Sequence, residues 1–448
     1  MKIVIVGAGE VGSHLAKLLS REEQDIILVD DDQGRLSTID ANYNLMTLRG
    51  SPTSFNVLKS AGVESCDLFI AVTPDETRNV IACSMAKSIG AQRTVARIDN
   101  YEFLDMHNRE FFTRIGVNAL IYPEYLAAQE IITALNRSWV RHWFELHDGE
   151  IILVGVKLRE NARIVGMQLK EFAMVEHNFH VSAIKRHHET IIPRGDDRIC
   201  ENDILYFTTT RDHVDELLEI CGKVHKRIRK VLIMGGSRIA VRLAALAGDT
   251  YKIKIIESNL ENCRRLPEKC PDCDIVYGDA RDIDVLREEG ISDMDAFIAL
   301  SDSSETNILA CLTAKELGAS KTIAEVEDIQ FISEAEGLNI GTIINKKLLA
   351  SSKIFQILLD TDVSSSKCLA LADAEVAEIE AKPKSKITRG PVKDLSLTRD
   401  MTIAGLIRDG QGMLVHGNTV IQPGDYVVVF CLCLLYTSPS PRDRTRSR

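Results

Sequence analysis

Three glycines, Gly7, Gly9 and Gly12, follow the apolar run from Lys2 to Val6 and open a stretch in which Val11, Leu15, Leu18 and Leu19 keep helical spacing. A glycine turn between a buried strand and a helix is suited to receive a pyrophosphate. Gly7 permits the tight turn, Gly9 lets a phosphate approach the backbone, and Gly12 lets helix and strand pack closely. Ala8, Glu10 and Val11 complete the loop at a helix N-terminus, where unpaired N–H groups and the positive dipole end attract an anion. Asp30 lies 23 residues beyond Gly7, at the end of the next apolar run, where a carboxylate accepts ribose hydroxyls. Asp31 and Asp32 beside it set negative charge against a 2′-phosphate, so NAD(H) or ATP/ADP is expected in preference to NADP(H). Thr73 and Pro74 follow the fourth strand and face the same crevice. Arg97, at the end of the fifth, offers a cation to a phosphate or forms a structural salt bridge.

A diverged copy of this pattern returns at an offset of 228 residues. Gly7, Gly50, Leu58, Gly62 and Asp67 fall on Gly235, Gly278, Leu286, Gly290 and Asp295, and Asn79, Cys83 and Gly90 fall on Asn307, Cys311 and Gly318. One register held across turns, strands and a helix indicates a duplicated domain. The copy departs at the site: Gly235-Gly236-Ser237-Arg238-Ile239-Ala240 has Ser and Ala where the first loop has its second and third glycines. Glu257 takes the place of Asp30, Ser301 that of Thr73, and Glu325 that of Arg97, which removes the phosphate cation. Occupancy of this second site is therefore less expected than that of the first.

Strands alternating with helices through residues 1–121 and 228–347 predict two Rossmann-like, doubly wound parallel sheets. Each leads into a connecting helix, over 122–141 and 348–367. Shorter β runs, turn residues and a late helix from Asp212 make 142–224 a small α+β subdomain, and 368–431 reads as its second, truncated version. The basic stretch from His225 to Lys230 reads as a solvated linker. Residues 432–448 break the pattern with Ser-Pro-Ser-Pro and four late arginines, and are expected to be a foreign or disordered tail.

The net charge of −11 opposes a nucleic-acid partner, which would require a basic face. The chain has no apolar run of membrane-spanning length and starts directly in a strand, so a cytoplasmic location is expected. Its 11 cysteines are expected to be reduced and mostly buried; Cys263, Cys270 and Cys273 cluster but want a fourth metal ligand. No metal is expected. His142, His147, His177 and His180 are expected at the surface.

On the Gly7/Gly9/Gly12 loop, Asp30, the Thr73-Pro74 loop with Asn79, and their copies near Gly235, Glu257, Gly278 and Asn307, the chain resembles the TrkA family of tandem RCK (or KTN) regulators of potassium uptake. The turns at Asn202-Asp203 and Pro423-Gly424-Asp425 resemble the late turn of the RCK C-terminal subdomain. The resemblance implies a non-enzymatic, homo-oligomeric gating ring that binds NAD(H) or ATP/ADP. It further implies a peripheral place on the inner face of the cell membrane, under a potassium transporter subunit of the TrkH/TrkG type. The first hundred residues alone would equally support an NAD-dependent oxidoreductase, but hydride transfer also needs a substrate domain with a positioned acid or base. An efflux-type antiporter is disfavoured by the lack of a membrane segment.

Overall fold

The computed structural model describes residues 1–20, 24–40, 43, 45–187, 189–338, 340–359, 374–395 and 397–432. His188, the 360–373 stretch after the second connecting helix, and the expected tail from 433 onward lie outside the described residues. The first lobe runs β1 (Lys2–Val6), α1 (Glu10–Leu19), β2 (Asp25–Asp30), α2 (Gln33–Asp40), β3 (Met46–Arg49), α3 (Phe55–Ser60), β4 (Leu68–Ala71), α4 (Glu76–Ile89), β5 (Arg93–Arg97), α5 (Met106–Arg114), β6 (Ala119–Ile121) and α6 (Pro123–Asn136). Its six strands are parallel in the order β3-β2-β1-β4-β5-β6, the doubly wound order that reverses beside β1 and opens a crevice at the strand C-termini. Ile3 to Val6 and Leu68 to Ala71 are fully buried, as strands covered on both faces must be.

The first C-terminal subdomain holds β7 (His142–Leu146), β8 (Ile151–Lys157), α7 (Leu169–Val175), β9 (His180–Arg186), β10 (Glu189–Ile191), β11 (Ile204–Thr209) and α8 (Val214–Ile220). The second lobe repeats the first with β12 (Lys230–Met234), α9 (Arg238–Ala247), β13 (Lys252–Glu257), α10 (Leu260–Lys269), β14 (Asp274–Tyr277), α11 (Ile283–Glu288), β15 (Ala296–Ala299), α12 (Ser304–Glu316), β16 (Lys321–Glu325), α13 (Gln330–Gly337), β17 (Thr342–Ile344) and α14 (Lys346–Leu359). Its order β14-β13-β12-β15-β16-β17 is that of the first sheet. The last subdomain has β18 (Ala374–Glu380), β19 (Met401–Arg408), β20 (Gln411–Leu414) and β21 (Tyr426–Leu432), antiparallel in the order β18-β21-β19-β20.

The two lobes exchange helices. The apolar face of α6, with Ala127, Ala128, Ile131 and Leu135, lies in the core of the second lobe among Ile233, Ile239 and Leu243. Ala350, Ile354, Phe355 and Leu358 of α14 lie in the core of the first lobe beside Val11 and Leu15. At about 1.5–3 kcal/mol for each large side chain buried, these faces tie each lobe to the helix that leaves the other. The alanines of α6 allow close approach to α9, and α14 packs on both α1 and α6.

The C-terminal sheets also pack face to face, with Leu153, Ala183 and Tyr206 against Val376, Val428 and Phe430. Duplication is visible in their turns. Arg186 donates Nε and a terminal N–H to the two carboxylate oxygens of Asp203 at 2.9 and 2.7 Å, and Arg408 donates in the same way to Asp425 at the same distances. Three of the four histidines expected at the surface are instead half-buried in side-chain contacts. His147 Nδ1 meets the buried Glu378 at 2.7 Å across the subdomain interface, and His180 Nε2 meets Thr402 Oγ1 at 3.3 Å. His142 stacks on Tyr206 with ring centroids 5.7 Å apart. Burial pushes His142 and His180 each down to about 4. Isolated histidines carry no local signal for contacts with strands far along the chain.

Candidate nucleotide-binding site

The first crevice is assembled from the ends of β1, β2, β4 and β5. Gly7 has φ +105°, a backbone that favours glycine, and its N–H donates to Val29 O at 2.8 Å. Gly12 packs so closely that an added Cβ would lie 1.8 Å from Gly7 O, whereas a Cβ on Gly9 would meet nothing within 4 Å. Gly9 therefore opens onto free space at the start of α1, and no side chain caps that helix end. Free N–H groups facing open space fit a phosphate.

Asp30 is 7% exposed, and its two oxygens accept the N–H groups of Ala8, at 2.5 Å, and Asp32, at 2.8 Å. These bonds fix the glycine loop to β2 and leave lone pairs on both oxygens for ribose hydroxyls. Thr73 packs under the loop, because a Cβ on Gly7 would lie 2.9 Å from Thr73 N. Pro74 is exposed at the rim. Arg97 forms an ion pair with Asp99 at 3.4 Å, while its Nε is buried without a hydrogen-bond partner. Val11 is buried in the core, so only its backbone can face a ligand, and Glu10 is exposed at the mouth.

Two residues that sequence reasoning assigned no role organise this edge. Asn79 Oδ1 accepts from Thr73 N at 2.9 Å and Thr73 Oγ1 at 2.7 Å, and its Nδ2 donates to the carbonyls of Thr73 and Arg97, each at 2.9 Å. Arg78 reaches across to Asp31 at 2.7 Å, which holds that carboxyl below its ordinary range. Asp32 is paired with Arg35 at 3.5 Å, so the charge beside Asp30 is largely compensated. Recurrence of asparagine at position 307 was the available signal for the first; the Arg78 contact spans 47 residues and left none.

The second crevice keeps the frame and fills the space. Asn307 makes the same four bonds, to Ser301 N, Ser301 Oγ, Ser301 O and Glu325 O, at 2.6–2.9 Å. Glu257 accepts from Gly236 N at 2.8 Å and Asn259 N at 2.6 Å, but also from the Asn262 side chain at 2.7 Å. Ser237 caps α9 by accepting from Ala240 N at 3.4 Å, so the side chain added at the close-approach position takes a donor a phosphate would use. Gly235 keeps a positive φ of +94°, and Ile239 is buried in the core. Burial raises the Glu325 carboxyl against the opposing pull of Lys346, 3.0 Å away.

Both glycine loops meet the opposite lobe. Glu10 forms an ion pair with Lys347 of α14, which also pairs with Glu327 at 2.9 Å. Its repeat equivalent Arg238 pairs with Asp99 of the first lobe at 3.0 Å. Each loop therefore carries an interlobe ion pair at the same loop position, with opposite sign, although the partners Lys347 and Asp99 are not equivalent in the repeat. Cys270 is buried and Cys273 half-buried, and the described residues hold no group of three or more candidate metal ligands. Among the described residues no helix is long and apolar enough to cross a membrane.

Comparison with known proteins agrees with this duplication. The TrkA-N domain model matches residues 3–123 and again 231–346, and the TrkA-C domain model matches 153–222. The Trk system potassium uptake protein TrkA of Halomonas elongata is 30% identical over 438 residues, covering 96% of both chains. That of Haemophilus influenzae is 30% identical over 439 residues, covering 96% of this chain and 95% of its own. Among solved structures, the GsuK RCK domain superposes with a TM-score of 0.61 at 15% identity, over 99% of this chain and 93% of that one. The GsuK channel bound to NAD superposes with a TM-score of 0.60 at 15% identity, over 96% and 76%.

Proposed function

The chain belongs to the TrkA-N and TrkA-C domain family, and from that premise we propose that it is a TrkA-type regulatory subunit that binds NAD(H) or ATP/ADP in its first crevice and gates a membrane potassium transporter. The observation that carries the reading is the uncapped helix end at Gly9, open to space and set directly against an interlobe ion pair. A bound nucleotide supplies negative charge at that helix end. The α1 N–H groups and Arg97 hold its phosphate, and Asp30 holds the ribose. Glu10 then stands beside new negative charge, which weakens its attraction for the site and alters its contact with Lys347 of α14. Because α14 is packed in the first lobe and belongs to the second, that change alters how the lobes sit together. A nucleotide shifts gating only by the difference in its affinity for the two arrangements, and NAD(H), ATP and ADP differ in charge and size at this point.

Family membership supports assembly into a homo-oligomeric ring on the inner face of the membrane beneath a TrkH/TrkG-type subunit. The second lobe, with its self-capped loop, serves chiefly as structural partner. The oxidoreductase alternative needs an acid or base beside the nicotinamide, whereas the group facing the first glycine loop is an ion pair between lobes. The test is potassium flux into vesicles carrying a Trk-type membrane subunit, with and without this chain and nucleotide. Flux that depends on the chain, responds to nucleotide and loses that response in Gly9→Val supports the proposal; flux indifferent to the chain overturns it.

A further inference from the structure

The basic stretch that reads in the sequence as a solvated linker lines a cleft of about 530 Å³, together with Ser138, Ser320 and Lys321. The cleft lies where β16 begins, at the sheet edge opposite the strand C-termini, so it is separate from both nucleotide crevices. Three parts of the molecule converge there: the segment after α6, the linker, and the second lobe. Lys321 is 7% exposed and donates to Ser138 O at 3.4 Å and Val140 O at 3.2 Å, which uses two of the three N–H groups of its ammonium. Burial, with the Arg141 guanidinium adding to it, pushes Lys321 down to about 7, so its third N–H belongs to the ammonium form, which a bound anion favours. Arg227 is exposed and makes no ion pair or hydrogen bond among the described residues. Lys226 donates to Ser320 Oγ at 2.7 Å and lies 3.7 Å from Asp295, which is itself engaged by the N–H groups of Arg229 and Lys230. The Ser320 hydroxyl proton is left to donate.

A cationic cleft with unused donors, in a chain of net charge −11, is a specific feature rather than an average of the composition. We propose that this cleft binds a phosphate-bearing small molecule through the Arg227 guanidinium, the remaining N–H of Lys321 and the Ser320 hydroxyl. Bound there, the anion fixes the linker against the second lobe and so sets the position of the first C-terminal subdomain. The inference does not rest on the crevice reading.

The test uses the full chain with inorganic pyrophosphate as probe, titrated calorimetrically in a Gly9→Val background that obstructs the first crevice. Pyrophosphate is expected to bind that protein, and Arg227→Gln, at an exposed position, is expected to weaken binding by about tenfold or more, the effect of losing a charge-assisted hydrogen bond. Trypsin cleavage after Lys226 and Arg229 is expected to slow with pyrophosphate and to lose that protection in Arg227→Gln. ADP in the same background separates a nucleotide source from a free inorganic anion, and binding of either that Arg227→Gln weakens supports the site. Failure of both to bind, or binding unchanged by Arg227→Gln, overturns it.

Discussion

A methyl group added to Gly12 is predicted to destabilise the ligand-free protein, and one added to Gly9 to leave it nearly unchanged. At Gly12 the new Cβ would sit 1.8 Å from Gly7 O, 3.1 Å from Gly7 C and 3.2 Å from Val72 Cγ2. No rotamer relieves a contact with backbone, so α1 must move away from the β1 turn, and α14, packed on α1, must follow. Overpacking of this kind costs about 1–3 kcal/mol or more, and a backbone oxygen as obstacle puts it at the upper end. The better helix propensity of alanine returns about 1 kcal/mol. The net loss is about 2 kcal/mol, which lowers the melting temperature of a domain this size by about 4–8 °C. Gly9, with φ −70° and an open Cβ direction, accepts alanine without strain. There the gain from a stiffer unfolded chain, about 0.4–1 kcal/mol, roughly offsets the poorer N-cap preference of alanine. Gly9→Ala should melt within about 2 °C of wild type. Differential scanning calorimetry without nucleotide decides it: equal losses for both variants, or an unchanged melting temperature for Gly12→Ala, would refute the assignment of one glycine to packing and the other to ligand approach.

Asn79→Ala and Asn307→Ala each remove four hydrogen bonds at a buried position, so each should destabilise its lobe by about 2–4 kcal/mol in chemical denaturation, and similar losses for the two would mark the clamp as structural. His180 is neutral in the fold because burial pushes it down to about 4, while the unfolded chain takes up a proton below about 6.5. Its linkage therefore lowers stability as pH falls from about 6.5 to about 4, and urea midpoints of His180→Gln should fall less steeply across that window. Arg238→Gln should cost no more than about 1 kcal/mol, since Arg238 is 59% exposed, and in a double-mutant cycle with Asp99→Asn, where Arg97 also loses its partner, the two losses should be less than additive. Additive losses would mean that the pair does not join the lobes.

The parallel lobes were legible because their signals are local. The runs ending at Val6 and Val29, the glycine turn and Asp30 lie within 30 residues, and the repeat at Gly235 and Asn307 confirmed their register. Ser237 was legible as an obstacle, although its capping of α9 appears only once the helix is built. The helix exchange was not legible. The apolar face of α6 announces that it will be buried, but Ala127 and Ile131 do not state which of two similar cores they enter. For the same reason Lys347, far along the chain from Glu10, gave no hint that it pairs with that residue at the first loop, and Arg227 read as a solvated linker residue. Local periodicity fixes elements, whereas contacts between duplicated domains depend on a choice of partner that neither sequence carries alone.

The proposed switch depends on a nucleotide entering the open loop at Gly9. Calorimetric titration of the purified chain with NADH, NAD, ATP and ADP, wild type beside Gly9→Val, tests it most directly. Saturable binding of at least one of these is expected, lost in Gly9→Val while the melting temperature holds; no saturable binding of any of them, or binding undiminished by the valine, would mean that the loop does not receive a nucleotide.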